Sequence, residues 1–580
     1  MSVKNFEVTG SGQIPQAAFL KTEDLPDAEI YRLTLSFPEA TVPAPVTVKW
    51  REPNDGAYSV FAPKHYLDRY LQPSWCGAAF NAKSNNSMPV FSASDKAGDN
   101  VFTFALSDAL SPVRMHLDVD EQSGEMQARI DLFTEATEKI KTYETLVFLS
   151  AAKKPYYEVL RDVREFWERY YTPFPVPEAA KRRTFSSWYC FHRDIDEKRL
   201  LAQCRLARDY GMDTVIIDDG WQVSPDTPKA EVYLTAGDWE PNKATFPDMK
   251  HFINELHGMG MKAMLWFAVP FIGVNSRVYD FFDGRFLHDR RSDGTLKIAD
   301  PRYADIRKWY ADMLSERLAR WELDGMKLDF IDNFEFDGEP FVRDGMDIPD
   351  LPRAVCALLE EITDALRAVN PDVLIEFRQS YIGPAMRQYG NMLRVCDCAY
   401  GAMFNRLNGL DMRLLAGSTA IHSDMLMWEY GVSAEKAADQ LSALLFIVPQ
   451  ISMPLDRLPE EHKKMLKFYL DFIDDNRDIL LGGQLVPLSP ETFYSVVYAR
   501  KEREVIAALY TANSFTAPEN TEKLTVVNAS GIGKIYVDLN GCAAERYEIK
   551  NCMGEPVSSG AVTSPLAAYA VPHNGFVFFS

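Results

Sequence analysis

The chain has 580 residues, 47% hydrophobic and 12% aromatic, enough for roughly three or four domains. Its 62 basic and 83 acidic side chains leave a net charge of −21, which argues against a nucleic-acid backbone or an anionic membrane as partner and suits neutral, polar ligands. Residues 1–12 lack a leader pattern, no apolar run is long enough to span a bilayer, and the eight scattered cysteines read as buried thiols, so a soluble cytoplasmic protein is expected.

Residues 1 to about 150 read as β structure. Short alternating runs at 31–37, 46–50, 126–132 and 143–148 are separated by Pro, Asn and Gly turns, the pattern of a large sandwich. A helix is predicted from about 155 to 171, followed by a Pro-rich linker at 171–177. From about 184 to 455 short apolar runs alternate with longer amphipathic stretches. The runs lie at 184–190, 214–217, 263–267, 326–330, 373–377, 393–396, 417–421 and 444–448. Eight βα-type units predict a parallel (β/α)8 barrel. One more helix, about 459–474, leads into strands at 495–499, 504–510, 534–539 and 575–579, a small C-terminal antiparallel β domain. The expected domains are 1–175, 176–478 and 479–580.

Barrel chemistry sits at the C-terminal strand ends. The second run ends in Asp218-Asp219-Gly220-Trp221-Gln222 and the fourth in Lys327-Leu328-Asp329. The fifth ends in Glu376-Phe377-Arg378-Gln379, the sixth in Arg394-Val395-Cys396-Asp397 and the seventh in His422-Ser423-Asp424. Carboxylates accept hydrogen bonds from hydroxyl pairs and aromatic faces stack on a sugar ring. This rim, with Trp188, Trp221, Trp239, Trp266 and Trp428 nearby, therefore suits a carbohydrate. A metal reading competes, but Lys327 shares a strand face with Asp329 and would repel a cation, and no His pair has ligand spacing. No metal and no cofactor are expected. Glycoside cleavage needs two carboxyl groups flanking the scissile bond, and Asp329 and Asp397, both at predicted strand ends, are the candidates.

Asp218-Asp219-Gly220-Trp221-Gln222, Gly237-Asp238-Trp239-Glu240-Pro241-Asn242, the segment from Gly260 to Phe267 and Met326-Lys327-Leu328-Asp329-Phe330 resemble glycoside hydrolase family 36. The resemblance implies an N-terminal β-supersandwich, a (β/α)8 barrel and a C-terminal β domain, and a retaining α-galactosidase or a related transglycosylase. It implies Asp329 as nucleophile, Asp397 as acid/base and Lys327 as a donor to sugar hydroxyls. Asp218 and Asp219 would hold the O4 and O6 side of galactose, Trp188 and Trp239 would shape the subsite, and Arg394 and His422 would support it. The chain departs from the family after the fifth strand, where Arg378 replaces a run of small residues, so Arg378 is a candidate substrate-binding residue for a different, substituted or charged sugar.

Blander readings stand beside these. Lys327 fits as an ion-pair partner of Asp329, Arg378 as a partner of Glu376 or another rim acid, and His422 as a hydrogen-bonded core histidine. Asp424 and Glu376 are alternatives to Asp397. The expected activity is retaining hydrolysis of a terminal α-glycoside, α-galactose favoured, in which burial keeps Asp397 protonated. The alternatives are another or a charged α-sugar, transglycosylation, or carbohydrate binding without catalysis. The expected partner is a small carbohydrate, with no nucleic acid and no membrane, and a homo-oligomer is left open.

Overall fold

The computed structural model describes residues 5–63, 68–76 and 79–580. Residues 1–4 of the opening segment, and Gly77 after the exposed Trp75, lie outside the described residues. Among the described residues no helix is long and apolar enough to cross a membrane.

At the N-terminal end two antiparallel sheets share one core. The first orders Glu7–Gly10, Val46–Glu52, Met126–Leu132, Val113–Val119 and Ala79–Ala82. The second orders Gln16–Asp24, Glu29–Thr41, Ile140–Ser150, Asn100–Leu106, Val90–Ser94 and Ser59–Phe61. The alternation read in the sequence sets the faces: Val46, Val48 and Trp50 turn inward with Leu33, Leu35 and Phe104, while Lys49 and Arg51 face out. The helix Tyr156–Glu168 follows. Its apolar stripe of Val159, Leu160, Val163 and Phe166 is buried, and Trp167 Nε1 donates to the Leu106 carbonyl at 2.7 Å.

The barrel strands are β1 (Thr184–Ser186), β2 (Thr214–Ile217), β3 (Lys262–Ala268), β4 (Gly325–Asp329), β5 (Leu374–Arg378), β6 (Met392–Arg394), β7 (Ala420–His422) and β8 (Gln450–Ile451). They pair in parallel and in sequence order, and β8 returns to β1 through Thr184↔Gln450 and Phe185↔Ile451. Between β7 and β8 only the single bridges His422↔Val448 and Leu426↔Ile451 form, so the barrel is nearly closed. Seven of the eight apolar runs overlap a strand. The eighth does not: 444–447 is a turn, and β8 begins after Pro449. Residues on the outward faces, such as Val215, Leu265, Leu328 and Phe377, are buried among the surrounding helices. Asp196, Asp248 and Asp350 cap three of these helices, each accepting from the amide three residues on.

The C-terminal part has a seven-stranded and a three-stranded sheet. The pairing is antiparallel except that Glu504–Leu509 runs parallel to Lys523–Asn528, and Ser514–Thr516 to Ile535–Asp538.

A buried triad ties the three parts together. Arg69, from the N-terminal part, donates to Asp411 Oδ2 at 2.7 Å and to the Tyr494 hydroxyl at 3.2 Å, and that hydroxyl donates to Asp411 Oδ1 at 2.6 Å. Asp411 lies on the barrel helix Ala402–Ala416 and Tyr494 in the C-terminal part. Removing the carboxylate strands a buried guanidinium. Asp411→Ala is therefore expected to lower unfolding stability by about 3–5 kcal/mol. Urea denaturation measures it, and a loss below about 1 kcal/mol would show that the parts do not depend on the triad.

Candidate active site

Strand alternation builds the barrel interior in layers. The lowest is apolar: Ile216, Met264, Leu374, Met392 and Ala420 pack with Ala180. Two residues further along the strands the interior turns polar, with Trp266, Lys327, Glu376, Arg394, His422 and Gln450, all buried. Asp329 and Arg378 come one step higher, at the ends of β4 and β5.

Asp329 is buried and accepts four hydrogen bonds. Oδ1 takes Arg378 Nε at 2.7 Å, the Tyr381 hydroxyl at 3.0 Å and the Phe330 amide at 2.7 Å. Oδ2 takes Trp266 Nε1 at 2.9 Å. Burial pushes its carboxyl up, but Arg378, then Lys327, and the Trp266 bond outweigh this and hold it well below the usual carboxylate range. The cation bound to Asp329 is thus Arg378. Lys327, expected beside Asp329, instead donates to Asp218 Oδ2 at 2.6 Å, both side chains being buried.

Asp218 receives its own support: its amide donates to Ser187 Oγ at 2.8 Å, and the Asp219 amide donates to Asp218 Oδ1 at 2.8 Å. Asp219 accepts from Gln222 at 2.7 Å and from the Tyr233 hydroxyl at 2.7 Å, and burial raises its carboxyl despite both. The chain then turns at Gly220, φ +121°, where a Cβ would lie 2.7 Å from Arg193 Cα.

Trp188, first residue of the short helix after β1, is half-buried, its ring roughly perpendicular to that of His192. Trp239, expected to shape the subsite, packs against other aromatic rings in the free protein. It is buried, and its ring lies among Trp221, Trp266 and Phe267 at centroid distances of 6.4, 5.9 and 5.7 Å.

Arg394 is the third cation of the site. It bonds Asp424 Oδ1 and Asp397 Oδ1, the latter at 2.9 Å, and its Nε lies 4.0 Å from Glu376 Oε1. Asp424 is buried and also accepts from the Tyr189 hydroxyl and the Cys398 amide, at 3.0 and 2.7 Å. Burial raises its carboxyl in spite of Arg394.

The side chain of Asp397 is 62% exposed. What desolvation the mouth imposes is outweighed by Arg394, which holds its carboxyl below the ordinary range. The expectation of a burial-raised Asp397 is therefore not met in the free protein, because the side chain is largely exposed and a guanidinium binds it. His422 is fully buried, with Nε2 donating to the Ala180 carbonyl at 2.7 Å and Nδ1 accepting from Gln450 at 3.2 Å. Both ring nitrogens are occupied and burial lowers the ring to about 4, so it is a neutral core histidine. Among the described residues no group of three or more His, Cys, Asp or Glu side chains is arranged to hold a metal ion.

Tyr189, Tyr233 and Tyr381 escaped the sequence reading although each donates to a rim carboxylate. Tyr189 directly follows Trp188 and Tyr381 lies three residues past Arg378. Position just beyond a strand end was the only signal the sequence offered for these two.

Fold and site together define a (β/α)8 protein with a carboxylate-lined mouth, set between two β parts. Residues 177–385 match the Melibiase family model, in line with the expected likeness to glycoside hydrolase family 36. The α-galactosidase Mel36A of Lactobacillus acidophilus is 26% identical over 154 residues, 25% of this chain and 19% of its own length. The α-galactosidase AgaA of Geobacillus stearothermophilus is 24% identical over 149 residues, 25% of this chain and 20% of its own. In sequence the chain thus spans about a fifth of these relatives. In structure the likeness is wider: the family 36 enzyme AgaA superposes with a TM-score of 0.65 at 14% identity, covering 100% of this chain and 88% of that one. An α-galactosidase from Thermus thermophilus gives 0.54 at 16% identity, covering 78% and 94%.

Glu376 supplies a measurable signature of the polar layer. It is fully buried, accepts from Gln450, and burial pushes its carboxyl up to about 7 against the pull of Lys327 and Arg394. A folded pKa above the unfolded value of about 4.3 gives stability that is complete at low pH and is lost as pH rises through the folded pKa. Between pH 5 and 7 this amounts to about 2 kcal/mol. Glu376→Gln is expected to remove that slope in urea titrations across this window; parallel slopes for the two proteins would contradict the assignment.

Proposed function

We propose that the protein is a retaining glycoside hydrolase that removes a terminal α-linked sugar, with α-galactose favoured, from small oligosaccharides or glycosides. The observation that carries this is Asp329: a buried carboxylate at the end of β4, kept ionised by Arg378, with Oδ2 engaged by a single donor. That oxygen is free to attack. In the proposed first step it bonds to the anomeric carbon as the glycosidic C–O bond breaks and Asp397 gives its proton to the departing oxygen. In the second, Asp397 takes a proton from water, the water oxygen attacks the same carbon, and the C–Oδ2 bond breaks. Asp218 and Asp219 are the proposed acceptors for sugar hydroxyls, with Lys327 donating beside them and Trp188 offering a partly exposed ring.

The Melibiase match and the likeness to α-galactosidases support the sugar. One of the similar solved structures is Geobacillus AgaA in complex with stachyose. Arg378, which opened the question of a charged sugar, is committed to Asp329, so a neutral sugar is retained. The proposed domains remain 1–175, 176–478 and 479–580, and the proposed location is the cytoplasm, where the eight free thiols stay reduced.

A panel of p-nitrophenyl α- and β-glycosides tests the reading. The α-galactoside is expected to turn over, and Asp329→Asn to lose roughly a thousandfold or more in kcat. Equal rates for wild type and variant would remove Asp329 from the mechanism. Turnover of a different α-sugar alone would move the specificity elsewhere. The pH profile gives a second check. Asp329 must be ionised and stays so well below its usual range, while Asp397 must be protonated and Arg394 lowers it. Both limbs of kcat/KM therefore move to the acid side, and an alkaline optimum would exclude Asp397 as the acid.

A further inference from the structure

Arg378 is a locked cation. Its Nε binds Asp329 Oδ1, its Nη1 binds the Gln379 carbonyl at 2.9 Å, and its guanidinium lies over the rings of Phe330 and Tyr381, at 5.1 and 5.6 Å. The side chain is only 17% exposed. It approaches one oxygen of Asp329 and leaves the other to Trp266.

We infer that Arg378 sets the balance between the two chemical steps at Asp329, slowing formation of the glycosyl-enzyme and speeding its breakdown. The inference rests on the nucleophile reading above. In the first step an electron pair on Oδ2 becomes the new C–O bond, so the carboxylate loses its charge and Arg378 loses its ionic partner. In the second step that bond breaks, the electron pair returns to Asp329, and the ion pair re-forms. A fixed cation on Oδ1 therefore makes Asp329 a weaker nucleophile and a better leaving group. The hydroxyl of Tyr381 and the amide of Phe330 act on the same oxygen in the same sense. Arg378 is thus a positioning residue that acts through Asp329, and formation of the covalent intermediate limits wild-type turnover.

Rapid-quench measurement of nitrophenol release from p-nitrophenyl α-galactoside tests this. Wild type is expected to release product linearly from the first turnover. Arg378→Met should show a burst approaching one equivalent per site, a hexosyl adduct on Asp329 by intact-protein mass, and a steady-state rate about ten- to a hundredfold lower, the factor one hydrogen bond to a charged group carries. The acid limb of kcat/KM should also move up in pH, because the nucleophile loses its cation. Arg378→Lys should restore the linear time course in part. Should Arg378→Met fail to fold, Tyr381→Phe removes a single neutral donor from the same oxygen and should shift both readouts in the same direction by less.

A full burst in wild type overturns the inference. So does a folded Arg378→Met with reduced activity, no burst and an unmoved acid limb, the outcome of a merely structural role. If wild type cleaves no α-glycoside at all, the functional reading fails and the inference falls with it.

Discussion

Charge placed inside a barrel must be matched inside the barrel, and the mouth of this protein is organised by that requirement. Lys327 on β4 reaches Asp218 at the end of β2, Arg378 on β5 reaches Asp329 on β4, and Arg394 on β6 reaches Asp397 and Asp424. The Lys327–Asp218, Arg378–Asp329 and Arg394–Asp424 pairs each join different strand ends, so these contacts also fix how the ends sit against one another. Because these three pairs are largely desolvated, removal of one partner costs more than the pair contributes in net stability. The same contacts decide protonation. Asp329, with a cation on one oxygen, stays ionised, whereas Glu376, which meets only an amide at one oxygen and a cation 4.0 Å from the other, keeps its proton to about neutral pH.

The barrel was legible because its strands are apolar runs of the right length and its helices are amphipathic. The eighth strand was not. The run at 444–448 is as apolar as a strand, but the chain turns there, and β8 carries Gln450 at an inward position, where a polar residue disguises it. The rim was legible by the same alternation that put Lys327 and Asp329 on one face. Their pairing was not: alternation says which side of the sheet a group faces, not which group it reaches across the mouth, and Lys327 passes β3 to meet Asp218 at the end of β2. Arg378, which departs from the family pattern, proved to be the cation on Asp329. Trp239 shows a related limit: its motif is intact, but the sequence could not say that its ring would lie buried edge to face against Trp266 and Phe267.

The N-terminal sheets contribute to this precision from outside the barrel. Buried Asn85 donates to the carbonyls of Ile331 and Phe334, at 2.8 and 3.1 Å, just beyond Asp329. The Ser87 amide donates to the Ser380 carbonyl, just beyond Arg378. Gly383 passes so close that a Cβ would lie 2.4 Å from the Ser87 carbonyl oxygen. One loop of the N-terminal part thus holds the segments that follow β4 and β5, the two strands whose ends form the Asp329–Arg378 pair. Support of this kind locks the rotamers of groups that must be placed within fractions of an ångström.

The two candidate carboxylates differ in how complete they are before a ligand arrives. Asp329 has four donors, one of them a cation, all supplied by the protein. Asp397 has one guanidinium and water, and in that state it is an anion. A sugar entering the mouth displaces that water, and loss of solvation moves a carboxyl up. Occupancy of the site therefore acts on Asp397, the proposed acid, and leaves Asp329, the proposed nucleophile, as it was. The buried carboxylate is set by folding and the exposed one by binding, which in the proposed mechanism places the dependence on the leaving group with Asp397 and Arg394 and the dependence on the glycosyl bond with Asp329 and Arg378.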